Sequence, residues 1–157
     1  MSLNTATLFT LSVPSTYGYV LLGACVLPFV TGMMLSTAVM DGRKRLDIQY
    51  PNLYGVPGVH KHADEFNRIQ RGHQNYLEGL PLFIALTLVG GLKHPIACAV
   101  GSVLYAVGSI LYQKGYVDIS KDVKSARHSK GGPIKYIGLF TSLISTTKLA
   151  YDIITAA

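Results

Sequence analysis

The stretch FNRIQRGHQNYLEGLPLF, residues 66–83, places charged and amide side chains directly against an apolar run. If a helix begins near Asp64, each residue is turned by about 100° around the helix axis relative to the one before it. His73 then points nearly opposite to the other polar groups, so one helix cannot direct all of them at a single ligand. The face away from His73 carries a narrow polar stripe: Arg68, Arg71, Asn75 and Glu78.

The composition of the chain indicates a membrane protein. Of its 157 residues, 49% are hydrophobic and only 14% are charged, and the mean hydropathy is +0.33. A soluble domain of this size carries about a quarter charged residues. A lipid environment explains the low fraction of charged residues, because charged side chains are unfavourable there. We therefore expect an all-α membrane protein that forms a single domain over residues 1–157.

Four segments are apolar enough to cross a bilayer of about 30 Å, which takes roughly 20 helical residues each. Backbone polar groups must be satisfied within the segment in lipid, so these segments should be helices. Lys93, His94 and Pro95 alone separate the second and third, which predicts an antiparallel hairpin. The predicted spans of this four-transmembrane-helix bundle are approximately 17–40, 75–92, 95–113 and 133–155. Cys25 and Cys98 lie inside predicted spans, where we expect them to pack as small residues, without a disulfide framework or a zinc site.

The distribution of Lys and Arg predicts the orientation in the membrane. The loop between the first two spans holds Arg43, Lys44, Arg45, Lys61, Arg68 and Arg71, and the loop between the last two holds Lys114, Lys121, Lys124, Arg127 and Lys130. The positive-inside rule places both long loops in the cytosol and both termini on the other side.

Residues 1–16 contain no Lys or Arg, so we expect the first span, and not a cleaved signal, to target the chain. The cluster GRKR, residues 42–45, could attract nucleic acid or anionic lipid, but at a membrane exit it is more typical of an orientation anchor, and we expect no nucleic-acid partner.

The polar stripe is the strongest indication of a binding site. A charged side chain costs about 2.5–3.5 kcal/mol near the middle of a spanning helix and less toward the interface. The alternative is that Arg71 and Glu78 simply pair at the membrane boundary while Arg68 reaches water. The third predicted span adds aromatic side chains on one helix face, although such residues are also typical of an interfacial aromatic belt. They follow at intervals of seven and four: Tyr105, Tyr112 and Tyr116.

One kind of ligand suits a membrane-interface site that offers guanidinium, carboxylate, amide and phenol groups. It is a small molecule with more than one carboxylate and an ammonium group. Arginine binds carboxylates through two parallel hydrogen bonds, and Glu78 can accept the ammonium. A γ-glutamyl tripeptide fits that description.

These same residues carry a resemblance to a known family. The chain reads FNRIQRGHQNYLE from Phe66 to Glu78. It resembles the MAPEG family (membrane-associated proteins in eicosanoid and glutathione metabolism), most closely the type-three microsomal glutathione S-transferases, whose signature is F-N-x-I-Q-R-x-H-Q-N-x-L-E. The segment GRKRLDIQYPNLY at 42–54 is similar to the family's basic cluster and Tyr-Pro turn, and LYQKGY at 111–116 to its Tyr-x-x-Gly-Tyr helix end. The resemblance extends from about residue 17 to 155.

The resemblance implies a homotrimer of four-helix subunits, with a glutathione site between neighbouring subunits that opens to the cytosol. It implies that Arg43 and His73 reach this site from the next subunit, which would explain why His73 faces away from the stripe. One subunit would supply the other glutathione-binding side chains: Arg71, Asn75, Glu78, Tyr112 and Tyr116.

The implied chemistry is activation of the glutathione thiol, with glutathione as a substrate. A free thiol has a pKa of about 8.5, and a cation beside the sulfur lowers it. The thiolate would attack a lipophilic electrophile or reduce a lipid hydroperoxide that arrives through the membrane lipid. The catalytic relatives carry an arginine early in helix four, but the segment 117–138 offers only Arg127, Lys130 and Lys135 in no clear alignment. Alignment favours Lys130 and chemistry favours Arg127, so both are candidate catalytic residues, with Arg127 preferred.

Three classes of function compete at this point. The first is a membrane glutathione S-transferase with glutathione-dependent lipid peroxidase activity. Gly79 stands where leukotriene-forming relatives have a tyrosine, which argues against that narrower activity. The second is a non-catalytic scaffold, or an accessory subunit docked in a larger membrane complex. A channel or transporter is disfavoured because the spans lack discontinuous helices and paired repeats. Hydrophobic length does not separate the endoplasmic reticulum from the mitochondrial outer membrane, so both are expected locations.

Overall fold

The computed structural model describes residues 12–156, and every regular element in this range is helical. Most of the N-terminal segment on which the targeting expectation rests, residues 1–11, lies outside the described residues. The expected all-α class is confirmed. The helices are α1 (Tyr17–Leu46), α2 (Ala63–Gly91), α3 (Pro95–Tyr116), the single turn α4 (Val123–Ala126) and α5 (Ile134–Thr155).

Helix α1 is longer than its predicted span. It has 30 residues and includes a π-helical segment at Leu22–Val26. The sequence predicted that the apolar part ends near residue 40, but the helix continues through the basic cluster to Leu46. Cations in a last helical turn interact favourably with the helix dipole, which favours this extension. Asp47, with a φ of 54°, then ends the helix in a left-handed conformation.

Helices α2 and α3 form the expected hairpin. Helix α2 begins at Ala63, close to the predicted start, and its first turn carries Asp64 and Glu65, which suit the positive end of the helix dipole. Pro95 occupies the first position of α3, where a missing backbone N–H costs nothing. The turn between the two helices lies beside the far end of α5, because Lys93 pairs with Asp152.

Two helices in the described part of the chain are long and apolar enough to cross a membrane. They are α1 and α3. Helices α2 and α5 do not meet the same criterion. Each has polar residues inside it, such as Glu78 in α2 and Lys148 in α5. A full set of four membrane spans therefore stays a prediction.

The bundle is built around α2 and α3. Helix α1 packs against both on one side, and α5 packs against both on the other. The rings of Phe83 and Tyr105 stack between α2 and α3 at 3.9 Å. Glycine permits close contact between α3 and α5, since a Cβ on Gly108 of α3 would lie 2.2 Å from the backbone nitrogen of Lys135 on α5. Such close approach of backbones at small residues is typical of helices that pack in lipid.

Both long loops fold against α2 at one end of the bundle, which we call the loop end. In the first loop, residues 47–62, the backbone N–H and C=O of Gly55 both bond to the Asn67 amide, at 2.7 and 2.9 Å. In the second loop, residues 117–133, the carbonyls of Asp118 and Lys121 accept hydrogen bonds from Arg68. Gly131, with a φ of 87°, turns the chain toward α5.

Candidate functional site

Two cavities lie along the polar stripe of α2 near the loop end. The first, of about 300 Å³, is the loop-side cavity, and its polar lining residues are Tyr54, Asp64, Asn67, Arg68, Arg71 and Tyr116. The second, of about 250 Å³, is the α5-side cavity. Its lining includes Asn75, Glu78, Gly79, Tyr105 and Lys135. Because Arg71 and Glu78 line different cavities, the stripe connects the two.

Arg71 and Glu78 form an ion pair with 2.7 Å between Nη1 and Oε1. Their side chains remain 42% and 48% exposed. The hydrogen bond to Glu78 raises the pKa of Arg71 further above its usual high value, so the guanidinium stays charged. Exposed pairs of this kind contribute only about 0–1 kcal/mol. A ligand with its own carboxylate and ammonium group can therefore replace this pair at little cost.

Arg68 belongs to the same stripe but has a different environment. Its side chain is only 11% exposed and donates to the carbonyls of Asp118 and Lys121 at 3.1 and 3.0 Å. Its Nε also contacts a carboxylate oxygen of Asp64 at 3.2 Å. Both arginines line the loop-side cavity, but Arg68 is held by Asp64 and the second loop, whereas Arg71 is more exposed and pairs with Glu78. Within the second loop, a hydrogen bond from the Ser120 hydroxyl lowers the pKa of Asp118.

The tyrosines at the end of α3 lie beside the stripe. The ring centroids of Tyr112 and Tyr116 are 5.8 Å apart, and Tyr116 lines the loop-side cavity together with Arg71. Tyr112 is buried, with 4% exposure. Its ring lies 3.9 Å from the Nζ of Lys135, a cation–π contact. The structure therefore brings the stripe, both tyrosines and a buried cation to one side of the bundle.

Lys135 is a residue of this site that was not among the predicted ligands. It is 6% exposed, and its Nζ donates a hydrogen bond to Asn75 Oδ1 across the interface between α2 and α5. The sequence held a usable signal for this position. Lys135 falls on the same face of α5 as a series of small residues that mark helix packing. That buried face consists of Lys135, Gly138, Ser142 and Ser145.

The two candidate catalytic cations lie in different places. Arg127 lies beside Tyr112 and near Lys135, and its Nε approaches His128 Nε2 at 3.2 Å. Lys130 lines a cavity between α1 and α3 together with Asp41 and Lys114, among others. Within one subunit the structure therefore brings Arg127, but not Lys130, to the stripe.

Arg43 and His73 also lie away from the stripe of their own subunit. Arg43 is buried, donates to the Asn52 carbonyl at 2.7 Å, and lies over the rings of Tyr50 and Phe66 at 4.5 and 5.0 Å. It holds the first loop against α2. His73 lines an apolar cavity of about 550 Å³ between α1 and α2. Its predicted orientation, away from the stripe, is confirmed.

Gly79 and Tyr105 lie next to each other in the lining of the α5-side cavity. A Cβ at this position would lie 2.9 Å from the Tyr105 hydroxyl oxygen. The stacked contact of Tyr105 with Phe83 holds that ring in place. The Tyr105 hydroxyl thus occupies the space that the Cβ of any larger residue at position 79 would need.

Fold and site together define an all-helical, membrane-associated protein with a polar site at one end of its helices. The sequence model of the MAPEG family matches residues 21–147, which include the whole stripe, both tyrosines and Lys135. The chain belongs to the MAPEG family. This family includes membrane glutathione transferases, for which glutathione is a substrate, and related proteins with other or no catalytic activity.

Proposed function

We propose that this MAPEG protein is a membrane glutathione transferase of the type-three microsomal kind, with glutathione-dependent lipid peroxidase activity. One observation carries the proposal. Arg71 and Glu78 form an exposed pair between two cavities whose other polar groups include Asn75 and Tyr116. These groups match the chemistry of a zwitterionic peptide.

The tripeptide would bind by exchanging partners with the existing pair. The Arg71 guanidinium would bind a glutathione carboxylate, and Glu78 would accept the ammonium of the γ-glutamyl residue. Asn75, Tyr112 and Tyr116 would supply neutral hydrogen-bonding groups. The exposed pair stabilises the free protein only weakly, so most of the energy of these charge-assisted bonds remains available for binding.

The proposed assembly is a homotrimer of a single four-span domain, residues 1–157. In a closed ring of identical subunits, a group that faces away from its own site faces the adjacent one. This arrangement gives roles to Arg43 and His73, which would reach the site of the next subunit. We place the protein in the endoplasmic reticulum or the mitochondrial outer membrane, with both long loops in the cytosol.

The proposed chemistry starts with loss of the thiol proton to solvent and stabilisation of the thiolate by a nearby cation. Arg127 and Lys130 are the candidates from the sequence, and Lys135 joins them because it is buried beside Asn75. In the transferase reaction, the sulfur forms a bond to an electrophilic carbon of a lipophilic substrate. Either the bond from that carbon to a leaving group breaks, or the π bond of an activated double bond opens and the product takes up a proton. In the peroxidase reaction, the sulfur attacks a hydroperoxide oxygen as the O–O bond breaks, and the leaving oxygen takes a proton to give the alcohol. A second glutathione then reduces the sulfenic acid to give glutathione disulfide and water.

Two measurements on detergent-purified protein test the proposal. Calorimetry should show that glutathione binds the wild type and that Arg71→Ala binds it much more weakly. Stopped-flow absorbance in the thiolate band should rise on addition of glutathione at neutral pH. Binding without a thiolate signal would leave a glutathione-binding protein and remove the catalytic claim.

A second candidate function is a non-catalytic scaffold or an accessory subunit of a larger membrane complex. It is favoured by the absence, in segment 117–138, of a clear match to the arginine of the catalytic relatives. Native purification separates the two functions. Co-migration with a large complex, with no glutathione turnover in that fraction, would support the accessory role.

A further inference from the structure

We propose that the groove between α1 and α3 at the loop end of the bundle binds the phosphate headgroup of a singly charged anionic phospholipid. This inference does not rest on the glutathione site, which lies along α2 and α5. It requires only that α1 and α3 are embedded in a membrane.

The groove holds a cavity of about 400 Å³ that combines a cationic rim with an apolar floor. Its three cations come from three separate segments: Arg45 from α1, Lys114 from α3 and Lys130 from the second loop. Ala38, Ile69 and Val117 are among the apolar residues of the lining. Basic pockets between spanning helices, at the level of the lipid headgroups, are typical sites for anionic lipids.

The charges of the lining leave positive charge available for a ligand. Lys114 and Lys130 have no carboxylate within 4.0 Å among residues 12–156, whereas Arg45 pairs with Glu65 at 2.6 Å. Asp41 is the one carboxylate of the lining. The excess positive charge is therefore small. It suits a phosphate diester with one negative charge better than a headgroup with several.

The position of the groove in the bundle favours a lipid over a free anion. Its walls, α1 and α3, are the two described helices that are long and apolar enough to span a membrane. Farther along both helices lies a second cavity of about 510 Å³ with an almost wholly apolar lining. Exposed Met34 and Val107 lie between the two cavities along the helices. A headgroup at the cations would thus have apolar surface beneath it for its acyl chains.

The apolar cavity coincides with an irregularity in α1. Leu22, Gly23 and Val26 line this cavity and belong to the π-helical segment. Such segments are rare and occur frequently at functional sites. Gly23 also brings α1 close to α3, because a Cβ there would lie 2.7 Å from Ser102 Cβ. The π-helical segment therefore lies at the apolar cavity, where the acyl chains of the bound lipid would pack, and the cations lie at the loop end.

Native mass spectrometry of protein in neutral detergent tests the proposal. The probes are phosphatidylglycerol and phosphatidylcholine with identical acyl chains, each added to wild type and to Lys114→Ala/Lys130→Ala. We expect wild type to retain phosphatidylglycerol in preference to phosphatidylcholine. The double variant should bind phosphatidylglycerol about thirtyfold more weakly, since each lysine near an anionic headgroup strengthens binding by about a factor of five. Lys114→Arg/Lys130→Arg should retain the preference.

The matched control is Lys121→Ala/Lys124→Ala, which removes the same charge from exposed lysines of the second loop that do not line the cavity. It should bind phosphatidylglycerol as wild type does. Equal retention of the two lipids by wild type, or equal loss in the control, would overturn the proposal. Displacement of the lipid by millimolar inorganic phosphate would also overturn it, because the site would then be a free-anion site.

Discussion

Lys135 of α5 donates a hydrogen bond to Asn75 of α2, which places a buried ammonium group next to the polar stripe. The same Nζ lies over the Tyr112 ring, and Arg127 approaches that ring from the second loop. Two cations therefore lie on the Tyr112 side of the bundle. Lys130, the residue that alignment favours, lines the groove between α1 and α3.

From this arrangement we expect the thiolate signal of bound glutathione to be lost in Arg127→Ala and in Lys135→Met. Removing a neighbouring cation returns the thiol pKa toward about 8.5, so less than about a tenth of the thiol is ionised at neutral pH. Lys135→Arg should retain part of the signal because it preserves the charge. Stopped-flow absorbance with glutathione checks this, and Lys124→Ala, which removes an exposed cation of the second loop, is the control that should behave as wild type. An unchanged signal in both Arg127→Ala and Lys135→Met would exclude these residues as the activating cations.

The two arginines of the stripe should behave differently when each is removed. Arg68→Ala frees the carbonyls of Asp118 and Lys121, so we expect faster amide hydrogen exchange in residues 117–122 with a smaller effect on glutathione binding. Arg71→Ala should weaken glutathione binding by about tenfold to a hundredfold, the usual range for a charge-assisted hydrogen bond. Its effect on exchange in the second loop should be small. Hydrogen exchange and calorimetry on the same samples distinguish these outcomes, and an identical pattern in both variants would contradict the assignment.

The helices could be predicted from the sequence because features within each segment determine them. Apolar runs, the acidic first turn of α2 and Pro95 at the start of α3 are all visible in the chain. The orientation of His73 followed from helical periodicity alone. The environments of Arg43 and Arg68 did not, because their partners are backbone carbonyls of loops whose paths depend on tertiary packing. Lys135 was missed as a ligand because its burial depends on the close approach of α3 and α5 at Gly108.

Substitutions at Gly79 and Tyr105 should have non-additive effects on the free energy of unfolding. Glycine to alanine in a helix interior gains about 1 kcal/mol from propensity, but here the new Cβ meets the Tyr105 hydroxyl at 2.9 Å. We therefore expect Gly79→Ala to be neutral or destabilising in wild type. The same change should be stabilising by about 1 kcal/mol in a Tyr105→Phe background, which lacks that hydroxyl. Thermal unfolding of the four proteins of this cycle in one detergent measures the coupling, and simple additivity would contradict the contact.

The contact between α3 and α5 should tolerate no side chain at Gly108. A Cβ there would lie 2.2 Å from the Lys135 backbone nitrogen, and backbone atoms cannot move aside as the end of a side chain can. We expect Gly108→Ala to destabilise the protein by about 3 kcal/mol or more, in the range of severe overpacking. Gly18→Ala is the matched control, because a Cβ at Gly18 meets nothing within 4 Å. Thermal midpoints measured in the same detergent should separate the two variants, and similar midpoints would show that the helices can move apart without loss.

The trimer and its shared site make a prediction for mixed assemblies. If Arg71 binds glutathione from one subunit and His73 acts from the next, Arg71→Ala and His73→Ala should each impair turnover in pure assemblies. Every mixed trimer from co-expression of the two variants should contain one intact site, about a third of the wild-type number, because a site is intact only where a His73→Ala subunit supplies Arg71 and its neighbour supplies His73. Two affinity tags isolate the mixed assemblies for a turnover assay. Mixing Arg71→Ala with Glu78→Gln is the control, since both residues would come from the same subunit and no intact site can form. Recovery in this control, or none in the first mixture, would contradict a site shared between subunits.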